Sequence, residues 1–309
     1  MVYRVKDFIE TEPGLIFAVV ADGVEDGKIR CFLRYALLDG QWRKVATADA
    51  NQYLASHYPQ YLFNSAQLDA PLHAVPRPDI IRHYSPRPKL QELLAAPATD
   101  SVLSDLHLLC KLLEDDGVDL NQIGITGSLL LGLQNHASDI DLICYDRNLF
   151  QQLRSRVQAL IARNKCQAMQ NSDWLTAYQR RACDLTLDEY IWHEQRKFNK
   201  AIINQRKFDL ALVAGVGKVS QQQYKKLGLI TLEAEVTADE YSYDYPAELT
   251  INHEEISSVV SFTATYTGQA RLGERIRVAG NLEVDEQGLQ RIVVGSNREA
   301  QGEYIKVLQ

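Results

Sequence analysis

The chain has 309 residues, 46% of them hydrophobic, 24% charged and 8% aromatic. That balance excludes low-complexity disorder and collagen-like repeats and suits about two domains, or three small ones. The formal net charge of −7 argues against a general polyanion binder, although residues 151–210 carry 11 Lys/Arg against 6 Asp/Glu while residues 231–309 carry 6 against 14.

In chain order, Leu15–Val20 and Ile29–Leu37 read as strands, Asp39-Gly40 as a turn and Thr47–His57 as a helix. Six of the nine prolines fall between Pro71 and Pro97. Their extended bias marks a linker, or a loop laid over a neighbour. Apolar residues from Val102 to Leu113 recur at helical spacing and Asp116-Gly117 closes that helix. Ile123–Thr126 (strand), Gly127-Ser128 (turn), Leu129–Leu133 (short helix), Ile140–Tyr145 (strand) and Leu149–Arg163 (helix) follow. Beyond residue 230 the chain turns β-branched, with short runs at Leu249–Ile251, Ser258–Tyr266, Arg275–Ala279, Gln290–Val294 and Tyr304–Val307, punctuated by glycines. That pattern predicts a small barrel or sandwich. The expected organisation is a 1–90 α+β accessory segment, a 91–230 central domain and a 231–309 β-rich domain open to an oligonucleotide-binding-like reading.

No apolar stretch approaches the ~20 residues of a membrane helix, and no apolar run occupies signal-peptide position. The five cysteines (31, 110, 144, 166, 183) form no C-x-x-C pair. They read as reduced thiols, so a cytoplasmic protein is expected.

The chemistry concentrates in Thr126-Gly127-Ser128, then ten residues, then Asp139-Ile140-Asp141-Leu142. On a strand, residues i and i+2 share a face, so Asp139 and Asp141 project together while Ile140 and Leu142 point inward. Two adjacent carboxylates repel unless a cation neutralises them. Magnesium suits oxygen ligands and keeps phosphates in its shell. Gly127 lets backbone approach a phosphate, Ser128 supplies a hydroxyl, and the helix starting there offers free N–H groups.

This constellation resembles the signature of the polymerase-β-like nucleotidyltransferase superfamily, an apolar-Gly-Gly/Ser turn followed by Asp-x-Asp between apolar residues. The likeness covers roughly residues 100–212, and the flanking segments resemble uncharacterised archaeal-type predicted nucleotidyltransferases. It implies an α/β (α+β) core with a mixed sheet and helices. It also implies metal-dependent transfer of a nucleoside monophosphate from an NTP such as ATP to an acceptor hydroxyl, on RNA or protein. Mg2+ in a two-metal site, or Mn2+, would be held by Asp139, Asp141 and a third carboxylate. Neither DNA nor a membrane is expected as a partner.

Asp184 and Asp209 compete for the third place. Thr186-Leu187-Asp188-Glu189 has the form of a capping box, which makes Asp184 a turn residue. Asp209, a lone acid in the apolar run Phe208–Val213, is the better candidate. Arg196 with Lys200, and His193 with Lys197, lie one turn apart on an expected Leu187–Ala201 helix. Arg196, Lys197 and Lys200 are therefore candidate triphosphate ligands, with a solvated helix face as the plain alternative. His136 reads as an exposed loop residue, and Trp174, Tyr190 and Trp192 as packing more readily than base-stacking residues. The rival function is an RNA- or protein-binding module with a catalytically degenerate core.

Overall fold

The structure is a computed structural model that describes residues 2–181, 183–213, 223–295 and 301–309. It is a mixed α+β protein with seven α-helices among the described residues. Those residues divide into two compact units, one ending at Asp146 and the other beginning at Arg147. The division falls inside the 91–230 segment.

In the first unit, β1 (Phe8–Thr11), β2 (Leu15–Val19), β3 (Lys28–Leu38) and β4 (Gln41–Lys44) run as successive hairpins. The β3–β4 turn is Asp39-Gly40, both at positive φ. Helix α1 (Thr47–His57) follows, with the bounds its sequence predicts, then β5 (Leu62–Ser65), β6 (Ala70–Pro76) and β7 (Ile80–Tyr84). The seven strands form one sheet in the order β5-β6-β3-β2-β1-β7, with β4 on β3. Ile9, Leu15, Phe17, Ile29, Leu33 and Val75 form a buried cluster with Ala50 and Leu54 of α1.

The proline-rich stretch is therefore not a linker. Pro71 and Pro76 lie near the two ends of β6, and Pro86 sits in the first turn of α2 (Pro86–Ala95), where a missing N–H costs no hydrogen bond. Helix α3 (Ser101–Asp115) is capped by Asp100, whose carboxylate accepts the Leu103 N–H at 2.8 Å. It buries Val102, Leu106, Leu109 and Leu113, as their spacing requires. Then come β8 (Ile123–Thr126), the short α4 (Gly127–Leu131) and β9 (Ile140–Cys144).

The second unit opens with α5 (Arg147–Ala162), α6 (Asn171–Arg181) and α7 (Leu187–Gln195). Strands β10 (Lys200–Ile203) and β11 (Arg206–Leu212) form a hairpin over Asn204-Gln205, both at positive φ. The rest is a six-stranded sheet. It comprises β12 (Tyr224–Ala238), β13 (Ala247–Ile251), β14 (Ile256–Ser261), β15 (Arg275–Asp285), β16 (Gln290–Val294) and β17 (Tyr304–Val307). Its order is β12-β13-β14-β16-β15-β17, and β12 also pairs with β15, so the strand path returns on itself. Val236, Leu249, Val259, Ile276, Val278 and Ile292 form its core with Trp174 and Tyr190 of the helices. The long β12 is not apparent in the sequence, and Ser258–Tyr266 is a strand only as far as Ser261. No helix among the described residues is long and apolar enough to cross a membrane.

Candidate active site

The glycine-serine turn and the Asp-x-Asp segment lie on one antiparallel pair. Register places Thr126 opposite Asp141 and Ile125 opposite Leu142. All four residues of β8 are buried, as are Ile140 and Leu142, so the alternation brings Asp141 out half-buried. Asp139, just before the strand, is exposed.

Gly127 has φ +69°, a backbone conformation that favours glycine. A Cβ built there would run into Oδ2 of Asp141. The carboxylate thus occupies space that any other residue at 127 would take. Thr126 anchors the turn from behind by donating its hydroxyl to the Lys6 carbonyl at 2.9 Å. Ser128 donates to Ser138 Oγ at 3.2 Å, and Ser138 Oγ also accepts the Asn135 N–H at 3.0 Å. Gln134 reaches Asp100 at 3.2 Å. The two serine bonds tie the segment between turn and carboxylates, which includes the exposed His136, to its own ends, and the Gln134 bond ties it to the cap of α3. Helix α4 is only five residues long, so it adds little helix dipole.

The N-terminal sheet reaches this site, which the sequence did not reveal. Leu130 of α4 is buried with Phe8 and Ile16, and Tyr35, Trp42 and Tyr84 pack around them. The Tyr35 phenol is raised above its ordinary pKa, first by burial and further by the Asp141 carboxylate, against an opposing pull from Arg34. Behind the pair, Cys144 is buried and its thiol is pushed up to about 11 by burial. It is a packing residue that donates to the Asp146 carbonyl at 3.2 Å.

Hard carboxylate oxygens beside a glycine that leaves them room fit a hard divalent cation such as magnesium. Among the described residues no group of three or more His, Cys, Asp or Glu could hold a metal ion. What is visible is the Asp141 carboxylate beside Gly127, with Asp139 exposed just before the same strand.

The chain is 33% identical to the uncharacterized protein MJ1086 of Methanocaldococcus jannaschii, over 99% of each chain. It belongs to the same family as that archaeal protein. No family profile matches the chain, and no solved structure does.

In the second unit, Asp209 is half-buried on β11, opposite Lys200 of β10. Asp184 is a turn residue whose carboxylate accepts the Gly302 N–H at 2.5 Å. The Thr186–Glu189 capping box is present in both halves.

The three candidate phosphate-binding cations have acids of their own. Helix α7 ends at Gln195 and Phe198 follows at positive φ, so the cations do not share one helical face. Arg196 grips both carboxylate oxygens of Glu274 and lies 4.4 Å over the Trp192 ring. Lys197 is buried, pairing with Glu194 at 2.6 Å and donating to the Thr265 carbonyl at 2.9 Å. Lys200 pairs with the second Glu194 oxygen. Glu194 is held down to about 2: burial opposes ionisation, but the two lysines outweigh it. Burial lowers Lys197 to about 8 against the attraction of Glu194. The network is neither a solvated face nor an open phosphate cradle.

Proposed function

We propose that the chain is a metal-dependent nucleotidyltransferase that moves a nucleoside monophosphate from an NTP to an acceptor hydroxyl on RNA or protein. The observation that carries this reading is the Asp141 carboxylate lying against the α-carbon of Gly127. A phosphate-approaching turn and an Asp-x-Asp strand joined in that register are the two halves such a transfer needs.

In this reading β8, α4 and β9 begin a polymerase-β-like core, and the returning sheet β12–β17 is a small barrel of the oligonucleotide-binding kind. Asp139 and Asp141 would hold magnesium. Magnesium there would offset triphosphate charge and favour ionisation of the acceptor hydroxyl. Gly127 admits the triphosphate close to the backbone, and the Ser128 hydroxyl donates to one of its oxygens, exchanging its bond to Ser138. The contribution of the protein is positioning in a charged, partly buried site.

The test is incubation of the whole chain with each labelled triphosphate, magnesium and a cell extract, followed by ribonuclease or protease. Label lost to ribonuclease identifies an RNA acceptor, and label lost to protease a protein acceptor. No incorporation, together with no rise in Tm on adding nucleotide and magnesium, would overturn the transferase in favour of a binding module with a degenerate core.

A further inference from the structure

The second unit contains a cleft of about 160 Å³ lined by Gln151 and Arg154 of α5, the loop residues Asp239, Glu240, Ser242 and Tyr243, and Gly268, Ala270 and Arg271. It is too small for a nucleotide and suits a compact polar molecule.

Tyr243 is buried, and its ring contacts Phe150 at 5.3 Å between centroids. A Cβ at Gly268, where φ is +64°, would overlap the Tyr243 ring, so the glycine makes room for it. The Arg154 guanidinium lies 4.0 Å over that ring. Its Nε donates to the Lys197 carbonyl at 2.6 Å and its Nη1 to Gln151 at 2.5 Å. Arg271 donates through Nη2 to the Arg196 carbonyl at 2.9 Å. Both guanidinium groups are thus oriented by neutral acceptors, and neither has a carboxylate partner among the described residues. Burial raises the Tyr243 phenol to about 12, with Arg154 and Arg271 pulling it back.

The acids of the cleft face arginines without pairing with them: Glu240 is close enough to raise Arg147. Asp239 and Glu240 form no ion pair with described residues, although Asp239 is close enough to raise Arg154. Two arginines and two acids in one lining give it zero formal charge with both signs present. A simple anion would meet the acids and a simple cation would meet the arginines. A ligand carrying both signs would satisfy each.

We propose that this cleft binds the zwitterionic head of a free α-amino acid, its carboxylate on Arg154 and Arg271 and its ammonium on Asp239 and Glu240. The test uses the full chain and every proteinogenic α-amino acid, by thermal shift and titration calorimetry, with N-acetyl and carboxamide derivatives and inorganic phosphate as controls. At least one amino acid is expected to raise Tm, while both derivatives and phosphate leave it unchanged. Arg271→Ala, at an exposed position, and Asp239→Asn should each weaken binding about tenfold or more. Four results would overturn the proposal: no shift with any amino acid, an equal shift with either derivative, binding of phosphate alone, or unchanged affinity in both variants.

Discussion

The Asp141 carboxylate lies where a side chain at Gly127 would begin. Gly132, at the other end of the same short helix, has the same φ of +69°, but a Cβ there would meet nothing within 4 Å. The two glycines therefore separate backbone strain from collision. Gly132→Ala should cost about 1 kcal/mol, the usual penalty for a left-handed alanine. Gly127→Ala should cost about 2–4 kcal/mol, because the carboxylate must also move. Urea denaturation of the two variants measures the difference, and equal losses would remove Asp141 from the turn.

Asp141→Ala should reduce nucleotidyl transfer about a thousandfold or more, since charge stabilisation at the reacting phosphate is the largest contribution to such catalysis. Stability should change by less than about 1 kcal/mol, because the residue is only half-buried. The variant has a second readout. Asp141 raises the Tyr35 phenol, so its removal should let Tyr35 ionise at lower pH. A difference titration of tyrosine absorbance between parent and variant detects that step. Full activity in Asp141→Ala would refute the mechanism.

The parts of this site legible in the sequence are local. Alternation of Ile140, Asp141 and Leu142 fixes β9, the Gly127-Ser128 pair marks the turn, and the spacing Thr186–Glu189 gives the capping box without tertiary information. Asp209 likewise falls on the strand that its apolar neighbours suggest. What was hidden depends on partners distant in sequence. Tyr35 is over one hundred residues from Asp141 in the chain and reaches it through the packing of Leu130 on Phe8 and Ile16. Arg196 reads as available from sequence because its acid, Glu274, is 78 residues away in the chain, just before the Arg275–Ala279 run. Helical spacing of cations carried no sign that Phe198 would break the helix.

That pairing makes Arg196 a structural cation. Its guanidinium and the Glu274 carboxylate are both less than one-third exposed, and the contact engages both carboxylate oxygens. A double-mutant cycle on Arg196→Ala and Glu274→Ala should give a coupling of about 1–2 kcal/mol. Lys197→Ala should cost about 3–5 kcal/mol, because it strips the buried Glu194 of one of its two lysines. Nucleotide affinity of Arg196→Ala should stay within about twofold of the parent. A drop in affinity without loss of stability would return these cations to the triphosphate.

Stability should also fall in acid between pH 6.5 and 4, through one buried histidine in each unit. His73 accepts the Leu33 N–H on Nδ1 at 2.9 Å and pairs through Nε2 with Asn51 Oδ1 at 2.7 Å. His193 accepts the Val307 N–H on Nε2 at 3.1 Å and pairs through Nδ1 with the Glu189 carbonyl at 2.6 Å. In each ring one nitrogen is an acceptor from backbone, so a second proton must displace that bond inside the core. Burial accordingly lowers both to about 4 from 6.5. The unfolded chain binds these protons first as pH drops. The stabilisation is whole above pH 6.5 and is lost on the way to pH 4, at most about 3 kcal/mol for each ring. Urea midpoints taken across that window measure the slope. His193→Gln keeps a donor and an acceptor but no titration, so its slope should be shallower than the parent's by the share of one histidine. An unchanged slope would mean that His193 does not sit neutral in the fold.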